Sequence, residues 1–217
     1  ISATNPCGEI PLPAYGACDL GSINLTCFVK QPFDKTAQLD LEAIKMTTRI
    51  AVRMLDNVIE LSHYPLRIQQ EAILSSRRIG LGITGLADTL VMLGVTYGTP
   101  DSLKIAAAIM KAIRDTAYES SIALAKEKGA FPLYQGDKYL LGPFIQKLPK
   151  VIQKKIKKNG LRNSHLIAVA PAGTISLLAN NISNGLEPLF DVNYERRVLT
   201  DKGDFESYCL ANQSIIQ

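Results

Sequence analysis

Asn5-Pro6-Cys7-Gly8-Glu9 sets an amide, a thiol and a carboxylate at alternate positions of a five-residue stretch. Pro6 and Gly8 flank the cysteine, which places it on a tight loop and not inside a regular element. In an extended loop, alternate side chains share one face. One small substrate would then meet all three groups together. A carboxylate serves as general base, an amide holds a hydroxyl, and a thiol is a nucleophile or radical carrier. The competing reading of the same residues is a surface turn with a buried cysteine.

A second stretch joins a short apolar run, Leu166–Ala170, to the small-residue turn Pro171-Ala172-Gly173-Thr174 and a helix start at Ile175-Ser176. Helix N-termini present unpaired N–H groups and a positive dipole end, which suits phosphate. Gly173 would let a ligand approach the backbone, and Thr174 and Ser176 would add hydroxyls. The competing reading is an ordinary strand-to-helix turn capped by Thr174, since one glycine stands there and no P-loop lysine follows.

Four further features carry less. Gly80, Gly82 and Gly85 have G-x-G-x-x-G spacing, but two arginines precede them where a strand should lead in. They read as a tight strand-to-helix connection and not as a dinucleotide site. Five lysines in positions 150–158 read as a solvated helix face. His63 and His165 have no partner in sequence. The four cysteines, Cys7, Cys18, Cys27 and Cys209, form no CxxC pair and no Cys/His cluster, so no metal site is expected. Buried apolar thiols or redox chemistry remain as their roles.

The elements that must position these groups alternate. Residues 17–29 read as a strand, 40–62 as a long helix with Asp40 at its start, and 78–83 as a short buried strand. A short helix follows over 86–93. Thr99 and Pro100 open a second long helix that ends at Gly129. Its apolar stripe is Leu103, Ala106, Met110, Ile113, Ala117 and Leu124. The first helix carries Leu41, Ile44, Ala51, Met54, Leu55, Val58 and Ile59 at the same period. Residues 130–143 read as a loop, 144–158 as a helix, and 166–170 as a strand. Strands separated by helices imply an α/β class with a parallel sheet or barrel.

Composition agrees. Of 217 residues, 47% are hydrophobic and 20% charged, which excludes a disordered chain. The net charge of +4 is too mild to argue for nucleic acid. No run approaches the roughly 20 apolar residues of a membrane span. No basic stretch leads into an apolar one at the start, so the expected location is the cytoplasm. Dense polar chemistry within the first nine residues leads us to expect a natural chain that extends upstream.

Taken together, Asn5 to Leu12, Cys18-Asp19-Leu20-Gly21-Ser22-Ile23-Asn24-Leu25, Arg77 to Asp88, Pro171 to Ala179 and Ser183 to Phe190 resemble the ribonucleotide reductase catalytic subunit, in order and over nearly the whole chain. The resemblance implies part of a ten-stranded α/β barrel, its second half with the finger loop. It makes Cys7 the thiyl radical that takes the 3′ hydrogen of a ribonucleotide. Glu9 takes the 3′-hydroxyl proton, Asn5 orients the substrate, and Cys18 is one of two reducing thiols. Pro171, Ala172, Gly173, Thr174 and Ile175 hold the substrate phosphates. Ten residues separate Cys7 from Cys18. That short link is similar to the adenosylcobalamin-dependent class II enzymes. Class I large subunits, which use a diiron radical partner, usually carry a longer insertion.

The resemblance also implies what these residues lack. The second reducing cysteine lies upstream in the family, and neither Cys27 nor Cys209 matches it. The C-terminal cysteine pair that relays electrons from a thioredoxin-type reductant is also missing. Residues 1–217 are therefore expected to be one segment of a longer subunit, or one chain of a split enzyme. A half-barrel exposes strand edges and an apolar face, so the segment alone is expected to associate and to be inactive. A non-catalytic companion subunit is the remaining alternative.

Overall fold

The computed structural model describes residues 1–212 and 215. The elements are, in chain order, β1 (Ala3–Thr4), β2 (Pro11–Leu12), β3 (Asp19–Asn24), a 3-10 turn (Leu25–Phe28), β4 (Val29–Lys30), β5 (Gln38–Leu39), α1 (Leu41–Leu61), α2 (Arg67–Ser76) and β6 (Ile79–Thr84). There follow α3 (Leu86–Met92), α4 (Pro100–Lys128), α5 (Gly136–Leu140), α6 (Pro143–Gln146), α7 (Lys150–Asn159), α8 (Gly173–Leu178), β7 (Asn193–Leu199) and β8 (Phe205–Ala211).

The backbone divides into two compact units. One comprises Ile1–Ile23, Leu41–Gly82 and Ala107–Ala170; the other comprises Asn24–Asp40, Ile83–Ala106 and Pro171 onward. The described strands pair two by two: β1 with β2, β3 with β6, β4 with β5, and β7 with β8. A parallel bridge joins Leu81 to Ile167. The class is mixed helix and strand, and a closed ten-stranded barrel is not present among the described residues.

In the first unit the core lies between α1, β6, α4 and α7. Ile44, Val52, Leu55 and Ile59 of α1 are buried with Ile79 and Leu81 of β6, Ile113, Ala117 and Leu124 of α4, and Ile152 and Ile156 of α7. Spacings of three and four residues keep each set on one helix face. The predicted stripes are only partly correct. Met54 and Val58 are exposed, and with Met46, Ile50 and Leu61 they form a second apolar stripe on α1. Leu103 is likewise exposed. The 3.6 period finds a helix face, but here two faces of α1 satisfy it.

Several predicted boundaries move, each for a local reason. The strand over 17–29 stops at Asn24, whose side-chain oxygen accepts from Thr26 N–H at 3.0 Å and caps a 3-10 turn. Leu166–Ala170 makes one bridge instead of a strand. The backbone at Gly82 lies so near Ala168 that a Cβ on Gly82 would sit 2.4 Å from the Ala168 carbonyl oxygen. The helix over 144–158 is two helices, divided at Pro149, which lacks an N–H and opens α7. The loop over 130–143 contains α5. The α2 helix and the β7–β8 hairpin have no counterpart in the sequence reading.

Other expectations hold. Thr99 Oγ1 accepts from Ser102 N–H at 3.3 Å and caps α4. Gly129 takes φ +87° at its end and donates to Ala125 O. The lysines of α7 face solvent while Ile152 and Ile156 face the core. Among the described residues, no helix is long and apolar enough to cross a membrane.

Candidate active site

The hairpin of β1 and β2 carries the first candidate group. Ala3 pairs with Leu12 and Thr4 with Pro11. Gly8 N–H donates to Asn5 O at 3.0 Å, closing a turn over residues 5–8. Asn5 N–H donates to Ile10 O, and Asn5 Oδ1 accepts from Ile10 N–H at 3.0 Å. Gly8 takes φ +82°, a conformation that the turn demands and that L side chains rarely adopt. The extended loop inferred from alternation is thus a turn, because the Asn5 side chain competes for backbone hydrogen bonds.

The consequences for the three side chains differ. Cys7 is exposed at the turn. Asn5 spends its amide oxygen on the turn, and its amide N–H groups stay available to a ligand. Glu9 is half-buried, and its Oε2 atom is enclosed without a hydrogen-bond partner.

Cys18 lies just ahead of β3 and is half-buried. Burial pushes its thiol up to about 12; Arg78 pulls the other way, while Asp19 and Glu9 add to the rise. The thiol therefore stays protonated at neutral pH. It can give up a hydrogen and an electron, but it is not a standing thiolate. Burial also raises the Asp19 carboxyl, whose Oδ2 has no partner.

Two residues behind the hairpin, Arg78 and His165, carry no site role in the sequence reading, where His165 has no partner and Arg78 is only one of two arginines before the glycines. Arg78 Nη1 donates to the Pro11 carbonyl on β2 at 3.2 Å and lies 3.3 Å from His165 Nε2. Its Nε is enclosed without a partner. Arginine only donates, so Nε2 of His165 accepts, and Nδ1 carries the proton that faces Ser164 Oγ at 3.0 Å. Part of His165 reaches solvent, yet burial of its ring and the neighbouring guanidinium push its pKa down to about 4. The available signal was the Arg77-Arg78 pair directly before a buried strand, since a buried cation requires partners.

Close strand packing holds this cluster together. A Cβ on Gly80 would lie 2.5 Å from Leu20 Cδ2 and 3.5 Å from Cys18 Sγ. The glycines at 80 and 82 serve this approach within β6, and Gly85 opens α3 at φ +74°. They do not cradle a dinucleotide.

The second candidate lies in the other unit. Ala172, at φ +58°, is the N-cap of α8 and makes no side-chain cap bond. Thr174 is thus inside the helix and not its cap. A Cβ on Gly173 would meet nothing within 4 Å, so the space before it is open. The first N–H groups of a helix lack intrahelical acceptors, and those of Gly173, Thr174 and Ile175 occupy these places. Pro171, Thr174 and Ile175 are exposed. Ser176 is not available to a ligand: it is buried, with its Oγ 2.6 Å from Thr84 Oγ1.

Thr84 leads to a buried knot in the same unit. Ser183 N–H donates to Asp88 Oδ2 at 2.7 Å, and Ser183 O accepts from Gly85 N–H at 2.8 Å. Ser183 Oγ accepts from Ala87 N–H at 3.2 Å. The stretch from Ser183 is thereby tied to the end of β6 and the start of α3.

Residues 1–215 match the family model described as ribonucleotide reductase, barrel domain. A vitamin B12-dependent ribonucleoside-diphosphate reductase of Mycobacterium tuberculosis is 37% identical over 199 residues, which is 92% of this chain and 26% of that protein. The enzyme of the same name from Thermoplasma acidophilum is 35% identical over 201 residues, 92% of this chain and 23% of that protein. A ribonucleoside-diphosphate reductase subunit alpha from Chlamydia muridarum is 32% identical over 216 residues, 88% of this chain and 20% of that protein. The chain thus spans about a quarter of the length of these curated relatives. It belongs to the ribonucleotide reductase family, as part of that family's barrel domain.

Proposed function

We propose that this chain is the thiyl-radical segment of a reductase that converts ribonucleotides to 2′-deoxyribonucleotides for DNA synthesis. The observation that carries the reading is an exposed thiol, Cys7, at the turn of a hairpin that also bears a partly enclosed carboxylate, Glu9, with a second, half-buried thiol, Cys18, just ahead of β3.

Each residue then has a role. The Cys7 thiyl takes hydrogen from the substrate 3′ carbon and returns it at the end. Glu9 accepts the 3′-hydroxyl proton, for which its unpartnered oxygen is suited. The amide N–H of Asn5 orients the ribose. The 2′ hydroxyl leaves as water. Cys18 and a second thiol supply two electrons and end as a disulfide. The N–H groups at residues 173–175 hold the substrate phosphates.

Adenosylcobalamin fits this reading, because Cys7 is exposed and can be reached from outside the segment. When bound, that cofactor supplies the carbon-centred radical that oxidises the thiol. The higher identity to relatives named as vitamin B12-dependent, and the short link from Cys7 to Cys18, favour it over a diiron radical partner. The remaining half-barrel, with the second reducing cysteine, comes from the rest of the same polypeptide or from a partner chain. A thioredoxin-type reductant would reset the disulfide, in the cytoplasm.

The decisive experiment is Cys7→Ser in the full-length reductase loaded with adenosylcobalamin. Deoxyribonucleotide formation is expected to fall to background. Turnover within tenfold of the parent would overturn the reading and leave a companion role.

A further inference from the structure

Among the described residues, the buried side-chain atoms without hydrogen-bond partners are Glu9 Oε2, Asp19 Oδ2 and Arg78 Nε. All belong to the hairpin and strands around Cys18. Buried polar atoms are nearly always paired, so three orphans in one cluster need a reason. Two carry or share negative charge and one is a cation's nitrogen.

Arg78 stands at the centre of the cluster's connections. It leads into β6, and its carbonyl accepts from Asp19 N–H at 3.3 Å at the head of β3. Its guanidinium reaches the Pro11 carbonyl on the hairpin strand β2 and the His165 ring. It is also the cation whose charge opposes the burial of the Cys18 thiol. One side chain therefore touches the strand that follows Glu9 and acts on Cys18. The titratable groups around that thiol are Glu9, Asp19 and Arg78, and His165 faces Arg78 from the far side.

We propose that Arg78 is a positioning residue for both thiols: it anchors the Cys7 hairpin through the Pro11 carbonyl and supplies the cation beside Cys18. His165 is its support, since the Nε2 lone pair holds the guanidinium and Ser164 fixes the ring. Both contacts are made by Nη1, whose two N–H bonds lie in the guanidinium plane and so point in fixed directions, which a freely rotating ammonium does less well. Keeping Nε unbonded leaves the cluster a donor that a substrate or water can use. The inference rests on the proposed function for its meaning, though not for its test.

The test uses the full-length reductase and two readouts besides turnover. The first is the rate of Cys18 alkylation by iodoacetamide at pH 9, followed by peptide mass spectrometry. The second is amide hydrogen exchange in the peptide covering residues 1–12. In Arg78→Met, alkylation is expected to slow by about three- to tenfold, because the thiolate loses its cation. Exchange over residues 1–12 is expected to quicken. In Arg78→Lys, the alkylation rate should return to within about twofold of the parent while exchange stays fast, separating charge from fork.

A folded Arg78→Met protein with parental alkylation and parental exchange overturns the proposal. If that variant does not fold, Arg78→Lys decides alone: parental alkylation with faster exchange supports the proposal, and parental values for both overturn it. Cys7→Ser does not enter either readout. A failure of the radical reading and a failure of the Arg78 inference are therefore told apart.

Discussion

Two buried polar clusters in the same unit follow opposite rules. Around Asp56, every charge is answered. Asp56 is fully buried; its Oδ1 accepts from Arg77 Nε at 3.0 Å, Arg77 Nη2 at 2.9 Å and Asn163 Nδ2 at 2.9 Å. Its Oδ2 faces Arg162 Nε at 3.3 Å, and Glu60 bridges both arginines at 3.0 and 2.6 Å. Ser121 ties Asn163 to α4. Around Cys18, three buried atoms are unanswered. The first cluster joins α1, the residue after α2 and the segment after α7, which gives it a structural task. The second stands behind a hairpin turn with an exposed thiol. Neighbouring arginines, Arg77 and Arg78, divide between the two. Satisfied networks specify a fold; unsatisfied ones keep donors and acceptors for something else.

The largest effect should come from breaking the satisfied cluster. Asp56→Ala leaves two arginines buried without their carboxylate, and is expected to destabilise the first unit by about 3–5 kcal/mol. Urea unfolding of the full-length protein measures this. A cost below about 1 kcal/mol would erase the distinction between the two clusters.

A smaller change in stability, with a large one in function, is expected at the other cluster. Glu9→Gln removes a carboxylate whose buried oxygen makes no hydrogen bond. Stability should stay within about 1 kcal/mol of the parent, because no partner is lost. Deoxyribonucleotide formation should nonetheless drop by about a hundredfold or more, the contribution of a lost proton acceptor. If the variant unfolds as readily as Asp56→Ala, the carboxylate is structural.

The smallest effect concerns His165. Its pKa lies near 4 in the folded chain against an ordinary 6.5. Between these values the unfolded chain binds the proton that the native chain refuses. Stability therefore falls as pH drops from about 6.5 towards 4, and nothing is lost above 6.5. Urea midpoints at pH 7, 5.5 and 4.5 should decline less steeply in His165→Gln than in the parent. Parallel declines would show that burial and the neighbouring Arg78 guanidinium do not hold the ring neutral.

The legible parts of the sequence were those with long local signals. The α1 and α4 helices follow from period and caps, and β6 from a short apolar run. The α2 helix was missed although Arg67 and Glu71 stand four apart and pair at 2.8 Å. Its apolar face is short, and Leu66 offers no side-chain cap. The β7–β8 hairpin was missed because β7 is exposed throughout and Arg196-Arg197 breaks the alternation. Asn5, Cys7, Glu9 and Cys18 were legible as residue types. Their geometry was not: the turn over 5–8 depends on which hydrogen bond the Asn5 side chain makes.

The sequence by itself determined the family and the order of the blocks, and it offered Asn5, Cys7, Glu9 and Cys18 as candidates, since each of these rests on identity and spacing along the covalent chain. Only the tertiary structure decided that Cys7 is exposed while Cys18 is half-buried, which arginine closes a core and which reaches the Pro11 carbonyl, and that His165 has a partner at all. Burial and electrostatics are set by groups far apart in the chain: Pro11, Arg78 and His165 are joined by hydrogen bonds that no local pattern encodes.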